Sequence, residues 1–105
     1  MPTRKETAQQ IVARVRTVAN ARIRPMMGEY ILYVDDKVAG QVNENELFIK
    51  VTAFGESFAP ELEKKSPYPG ARPAFVISES KLRNTSWLHS FIAGTVEQLP
   101  APKRK

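Results

Sequence analysis

The chain has 105 residues, 42% hydrophobic and 26% charged, which suits one globular domain with a single modest core. It contains no cysteine, so a disulfide framework, a thiolate nucleophile and a zinc–thiolate site are excluded. No apolar run approaches the roughly 20 residues of a membrane span, and the N-terminus lacks an apolar signal segment, so a cytoplasmic location is expected. The net charge of +5 is unevenly placed: residues 1–24 hold six basic groups against one acid, residues 25–100 hold seven against ten, and the last five residues add three basic groups.

Thr3-Arg4-Lys5-Glu6 has capping-box spacing, with Thr3 positioned to bond the Glu6 amide. After it Ala8, Ile11, Val12, Val15, Val18 and Ala19 recur at helical spacing, which predicts a helix from about Arg4 to Asn20. Its opposite face is mostly polar. Arg14 and Arg16 fall at the two margins of the apolar stripe, where their stems cover the core edge and their guanidinium groups reach water.

Residues 24–51, RPMMGEYILYVDDKVAGQVNENELFIKV, alternate apolar and polar at period two. Tyr30, Leu32 and Val34 share one face, with Ile31 and Tyr33 on the other. Asp35-Asp36 supplies a tight turn, since both tolerate positive φ. Val38 to Val42 resumes the pattern, Asn43-Glu44-Asn45 turns again, and Leu47, Ile49 and Val51 align in the segment that follows. A three-stranded antiparallel meander is the expected result. Gly28 is read as a bulge or bend that starts it, or as a place where a partner's backbone approaches. Glu29, the one acid in that apolar stretch, is expected to pair with Arg24 or Arg72 or to touch a partner.

Thr52 is placed to cap a short helix through Phe58, although Gly55 inside it costs roughly 1 kcal/mol relative to alanine. From Ala59 to Pro73 the prolines 60, 67, 69 and 73 predict loop, with at most one helical turn between Glu61 and Lys65. Ala74 to Ser78 reads as another strand. Asn84 or Thr85 caps a final helix whose apolar face is Leu88, Phe91, Ile92, Val96 and Leu99, and Pro100 stops it. Residues 1–100 are thus expected to form a single α+β domain. In it an antiparallel sheet, the three-strand meander plus at least one further strand, carries the N- and C-terminal helices packed on it. Residues 101–105 are expected to be a disordered basic tail.

One ordered set of motifs goes further. Met26-Met27-Gly28-Glu29-Tyr30, Tyr33-Val34-Asp35-Asp36-Lys37, Leu47-Phe48-Ile49-Lys50 and Tyr68-Pro69-Gly70-Ala71-Arg72-Pro73 are followed by the helix from Trp87-Leu88 to Glu97-Gln98-Leu99-Pro100. In this order they resemble the N-terminal domain of the TfoX/Sxy family, over nearly the whole chain. Met27 stands where that family commonly carries an aromatic residue. The resemblance implies helices packed on an antiparallel sheet. It also implies a role, because TfoX/Sxy proteins regulate natural competence as coactivators with the catabolite activator protein rather than as independent site-specific DNA binders. Longer members continue into a helical C-terminal domain, so this chain is expected to correspond to a stand-alone N-terminal domain.

Catalytic chemistry is thin in the sequence. His89 is the single histidine, with no marked nucleophile or acid partner for a triad. Scattered glycines form no phosphate-cradling loop. No catalytic residue, cofactor or metal is therefore expected, and the domain is read as a non-enzymatic one that works by contact. Met27, Gly28, Glu29 and Tyr30 are the candidate partner-contact residues, the partner being a protein and, from the resemblance, a transcription regulator. The alternative is weak, salt-sensitive nucleic-acid binding through Arg14, Arg16, Lys103, Arg104 and Lys105. Base stacking on Tyr30, Tyr33 and Phe48 is opposed by the nearby acids Glu29, Asp35, Asp36, Glu44 and Glu46. A small-molecule pocket below the Pro-rich loop and a homodimer through an edge strand are the remaining options.

Overall fold

Three two-residue turns organise the chain. Met27-Gly28 has φ values of 52° and 87°, Asp35-Asp36 of 51° and 65°, and Glu44-Asn45 of 50° and 65°. Two consecutive left-handed residues make a type I′ turn, whose twist matches that of the strands it joins. In the computed structural model, which describes residues 3–101, these turns link β1 (Ala21–Met26), β2 (Glu29–Val34), β3 (Lys37–Asn43) and β4 (Glu46–Ile49). The sheet is completed by β6 (Ala74–Ile77) beside β4 and by β5 (Lys64–Lys65) outside β6. All six strands pair antiparallel in the order β1-β2-β3-β4-β6-β5. Among the described residues four helices accompany them: α1 (Lys5–Arg16), α2 (Ala53–Phe58), α3 (Glu79–Arg83) and α4 (Thr85–Glu97).

Register decides which side is core. Tyr30 opposes Val42, Val42 opposes Leu47, and Leu47 opposes Ile77; Leu32 opposes Gly40, Gly40 opposes Ile49, and Ile49 opposes Phe75. These rows meet Ala8, Ile11, Val12 and Val15 of α1 and Leu88, Phe91, Ile92 and Val96 of α4 in one buried cluster. The helices therefore lie on one face of the sheet, the α+β arrangement expected. Lys37 Nζ donates to the Val96 carbonyl at 2.9 Å, placing a cation at the C-terminal end of α4. On the other side of α4, Phe54 of α2 lies where a Cβ on Gly94 would stand, its ring atoms 2.3–2.5 Å from that position. Among the described residues no helix is long and apolar enough to cross a membrane.

Several local expectations are corrected. The first helix ends at Arg16, not Asn20, and Val18 and Ala19 turn back onto the Val15 carbonyl. That releases Ala21–Met26 to form a strand, so the meander has four strands. Pro25 hid it, yet proline is tolerated on an edge strand, where its missing donor breaks no ladder. Thr3 does not cap α1: the N-cap is Arg4, without a side-chain bond, because the Thr3 hydroxyl is held elsewhere. Gly28 is a turn residue. The bulge lies instead at Leu32/Tyr33, where Ala39 is the extra residue between Val38 and Gly40. β4 stops at Ile49 rather than Val51. Residues 61–65 contain no helical turn; Lys64 and Lys65 pair with Phe75 and Ala74. Helix α3 went unforeseen, and it is capped by Ser78, whose Oγ accepts from Lys81 N. Thr52 and Asn84 do cap α2 and α4.

Both sheet edges carry features that oppose strand addition. β1 presents Arg22, Arg24 and Pro25, and β5 is two lysines long.

Candidate interaction site

Strand alternation leaves Arg22, Arg24 and Met26 of β1, Ile31 and Tyr33 of β2, and Gln41 and Asn43 of β3 on the face without helices. Phe48 shares that face, opposite Gln41 and Val76, and is nonetheless buried outside the helix-side cluster. The Pro-rich loop is fastened to this face. Asn43 Nδ2, itself buried, donates to the Pro67 carbonyl at 2.9 Å. Ser66 Oγ donates to the Ala71 carbonyl at 2.7 Å, and Ala71 N to the Tyr68 carbonyl at 3.1 Å. A segment that composition marked as irregular is thus pinned to the sheet and bonded within itself.

Between this loop and the Met27–Gly28 turn runs a groove of about 800 Å³. Met26, Met27, Ile31, Pro67 and Tyr68 give it apolar walls, Glu29, Gln41, Asn43 and Glu44 give it polar ones, and Tyr30, whose row packs on the helix-side core, borders it. Met27 is 97% exposed, Met26 51% and Tyr68 52%.

Glu29, which lines the groove, is bound to Thr3. Glu29 Oε1 accepts from Thr3 N at 3.1 Å, from Glu44 N at 3.2 Å and from the Thr3 hydroxyl. The same hydroxyl oxygen accepts from Asn45 N at 3.1 Å, and Thr3 N also donates to the Gly28 carbonyl at 3.2 Å. One buried threonine and one carboxylate therefore clasp the β1–β2 and β3–β4 turns together at one end of the sheet. Glu29 serves this clasp; its partners are Thr3 and Glu44, in place of the Arg24 or Arg72 expected.

Of the four candidate contact residues, Met27, Glu29 and Tyr30 line the groove and Gly28 completes the turn at its rim. Met26 and Tyr68 were not foreseen as contact residues, and the Pro-rich loop was foreseen only as the cover of a small-molecule pocket. The basic candidates are not gathered. Arg16 Nε donates to the Ala21 carbonyl at 2.9 Å, fastening α1 to β1, while Arg14 lies exposed on α1 near Glu79 and Leu82 of α3. Lys103, Arg104 and Lys105 lie outside the described residues. His89 is exposed on α4. Among the described residues no three His, Cys, Asp or Glu side chains cluster where a metal ion would be held. Two exposed groups among the described residues depart from their ordinary pKa, neither of them lining the groove. A backbone hydrogen bond and Lys81 hold the Glu61 carboxyl low, and Glu46 raises the Lys65 ammonium.

No protein-family model matches the chain, and no solved structure matches it. Among curated proteins it is similar to the uncharacterized 12.7 kDa protein in the trpE 5′ region of Spirochaeta aurantia. The two are 33% identical over 103 residues, spanning 98% of this chain and 89% of that one.

Proposed function

The chain belongs to the family of that Spirochaeta aurantia protein, and we propose that it is a non-enzymatic regulatory interaction domain that docks a protein partner in the groove beside the Met27–Gly28 turn. The observation that carries this reading is Met27 itself. It occupies a left-handed position at φ 52° and is 97% exposed. The first position of a type I′ turn favours Asn, Asp or Gly, and an unbranched apolar side chain there costs about 1 kcal/mol or more without any burial in return. A residue that weakens its own turn and gives nothing to the core is best explained by what it contacts outside the chain.

The groove specifies the chemistry of its partner. Flexible methionines adapt to varied apolar surfaces, and Tyr68 adds an aromatic anchor with a polar tip. Its charged wall residues are Glu29 and Glu44, with no lysine or arginine among the described lining. An apolar segment flanked by basic residues is the complementary ligand. The resemblance to TfoX/Sxy supplies the class of partner, a transcription regulator, and the cytoplasm expected from the sequence is the place of meeting.

Affinity capture from the source cells tests this with two baits, the native chain and Met27→Asn. The expected result is a transcription component recovered by the native chain and depleted with the variant. Recovery of none, or equal recovery by both baits, refutes the reading.

A further inference from the structure

We infer that the opposite half of the open sheet face binds single-stranded nucleic acid, with a base against the Arg22–Tyr33 stack and phosphates on Arg24 and Lys50. This surface is separate from the Met27 groove and does not depend on it.

Register builds the surface. Arg22 opposes Tyr33, and Tyr33 opposes Val38, so one row crosses β1, β2 and β3. Arg24 follows two residues along β1 on the same face. Lys50 follows Ile49 at the end of β4, its backbone N donating to the Ala39 carbonyl at 2.9 Å. These residues line a shallow depression of about 600 Å³. The Arg22 guanidinium carbon sits 4.2 Å from the Tyr33 ring centroid, a cation–π contact that fixes a planar cation in place. Asp36, 3.5 Å from Arg22, offsets part of that charge. Among the described residues the side chains of Arg24 and Lys50 have no hydrogen-bond or ion-pair partner, so both remain available for a ligand. Lys37 is engaged by the Val96 carbonyl and is left out.

Of the acids that argued against this reading from sequence, Asp36 does border the depression, beside Arg22, but three lie elsewhere. Glu29 and Glu44 border the other groove, and Glu46 is paired with Lys65 at 2.9 Å. The missed strand β1 is what brings two arginines beside Tyr33.

Geometry and chemistry select the ligand. Arg24 on β1 and Lys50 beyond β4 are three strand spacings apart, roughly 14 Å at about 4.8 Å each, too far for one phosphate group to bridge. The complement is a chain of phosphates. Stacking on an aromatic or guanidinium face needs a base free of a duplex stack, and the sheet face offers no helix to enter a major groove. Aromatic and guanidinium platforms on an open sheet are sequence-tolerant readers of single strands.

Fluorescence anisotropy with a labelled oligothymidylate is the test. Two phosphate contacts predict a slope of log affinity against log salt of about −1.4, a loss of roughly sevenfold between about 50 mM and about 200 mM salt. Replacing Arg22, Arg24 and Lys50 together by Gln should lower affinity at least tenfold and flatten the slope. Tyr33→Leu should lower affinity about tenfold and leave the slope unchanged, which a general loss of charge does not reproduce. If the triple variant melts early, the pair Arg24→Gln and Lys50→Gln, both at exposed unpaired positions, replaces it. Met27→Asn should bind the oligonucleotide as the native chain does. Alanine at Lys103, Arg104 and Lys105 separates the tail from the sheet. The inference is overturned by absent binding at low salt, by a duplex bound as tightly, or by binding that survives the sheet variants and vanishes with the tail variant.

Discussion

Met27→Asn should make this protein more stable and less functional. At φ 52° an L-residue without a local polar side chain bears about 1–2 kcal/mol of left-handed strain, whereas asparagine adopts that region readily. With Gly28 following, the substitution creates the Asn-Gly pair that type I′ hairpins prefer. The native side chain is 97% exposed, so almost no buried apolar area is lost. The expected gain is about 1 kcal/mol, equivalent to about 4–8 °C in melting temperature for a domain of this size. Urea unfolding is the assay of choice, because a shift in midpoint at constant slope reports stability alone. A midpoint that falls would mean that Met27 packs against the fold in a way its exposure denies. A midpoint that rises while partner capture stays intact would retain the strain argument and refute its functional use.

Other substitutions follow from the same structure. Asn43→Ala removes the bond to the Pro67 carbonyl, so residues 66–73 should become more susceptible to proteolysis, with a stability loss of about 1–3 kcal/mol in chemical denaturation. Thr95→Val replaces a buried hydroxyl that lacks a hydrogen-bond partner with a methyl group of similar size, and should raise stability by about 1 kcal/mol. Gly40→Ala would place a Cβ 1.9 Å from the Phe48 carbonyl oxygen, a backbone atom that cannot swing aside; circular dichroism should show a loss exceeding the about 1–3 kcal/mol of ordinary overpacking.

What the sequence made legible, and what it concealed, divides along a physical line. Leu32, Val34, Val42, Leu47 and Ile49 announced the sheet because burial on one face imposes period two, and Leu88, Phe91, Ile92 and Val96 announced α4 because burial on one stripe imposes the helical period. The Asp35-Asp36 turn was readable from the residues that tolerate its φ values. Strand β1 was not, since its short alternation of Ala21 and Ile23 with Arg22 and Arg24 merges into a proline and two methionines. Thr3 satisfied a local capping rule, but Glu29 and Asn45, distant in sequence, offered its hydroxyl better partners. Half of the candidate groove was hidden for a similar reason. The bond from Asn43 to Pro67 joins residues 24 positions apart, and no periodicity marks such a tie. Met27, Glu29 and Tyr30 were named from sequence because Gly28 and the lone acid Glu29 stand out in an otherwise apolar strand entry.

Where the partner sits on the domain decides between the groove and every other surface. Backbone amide spectra of the ¹⁵N-labelled chain, titrated with the captured transcription component, report that position residue by residue. Shifts confined to Met26–Ile31, Gln41–Glu44 and Ser66–Gly70 are the predicted result. Shifts centred on the outer faces of α1 and α4, around Arg14 or His89, with the groove silent, would contradict it.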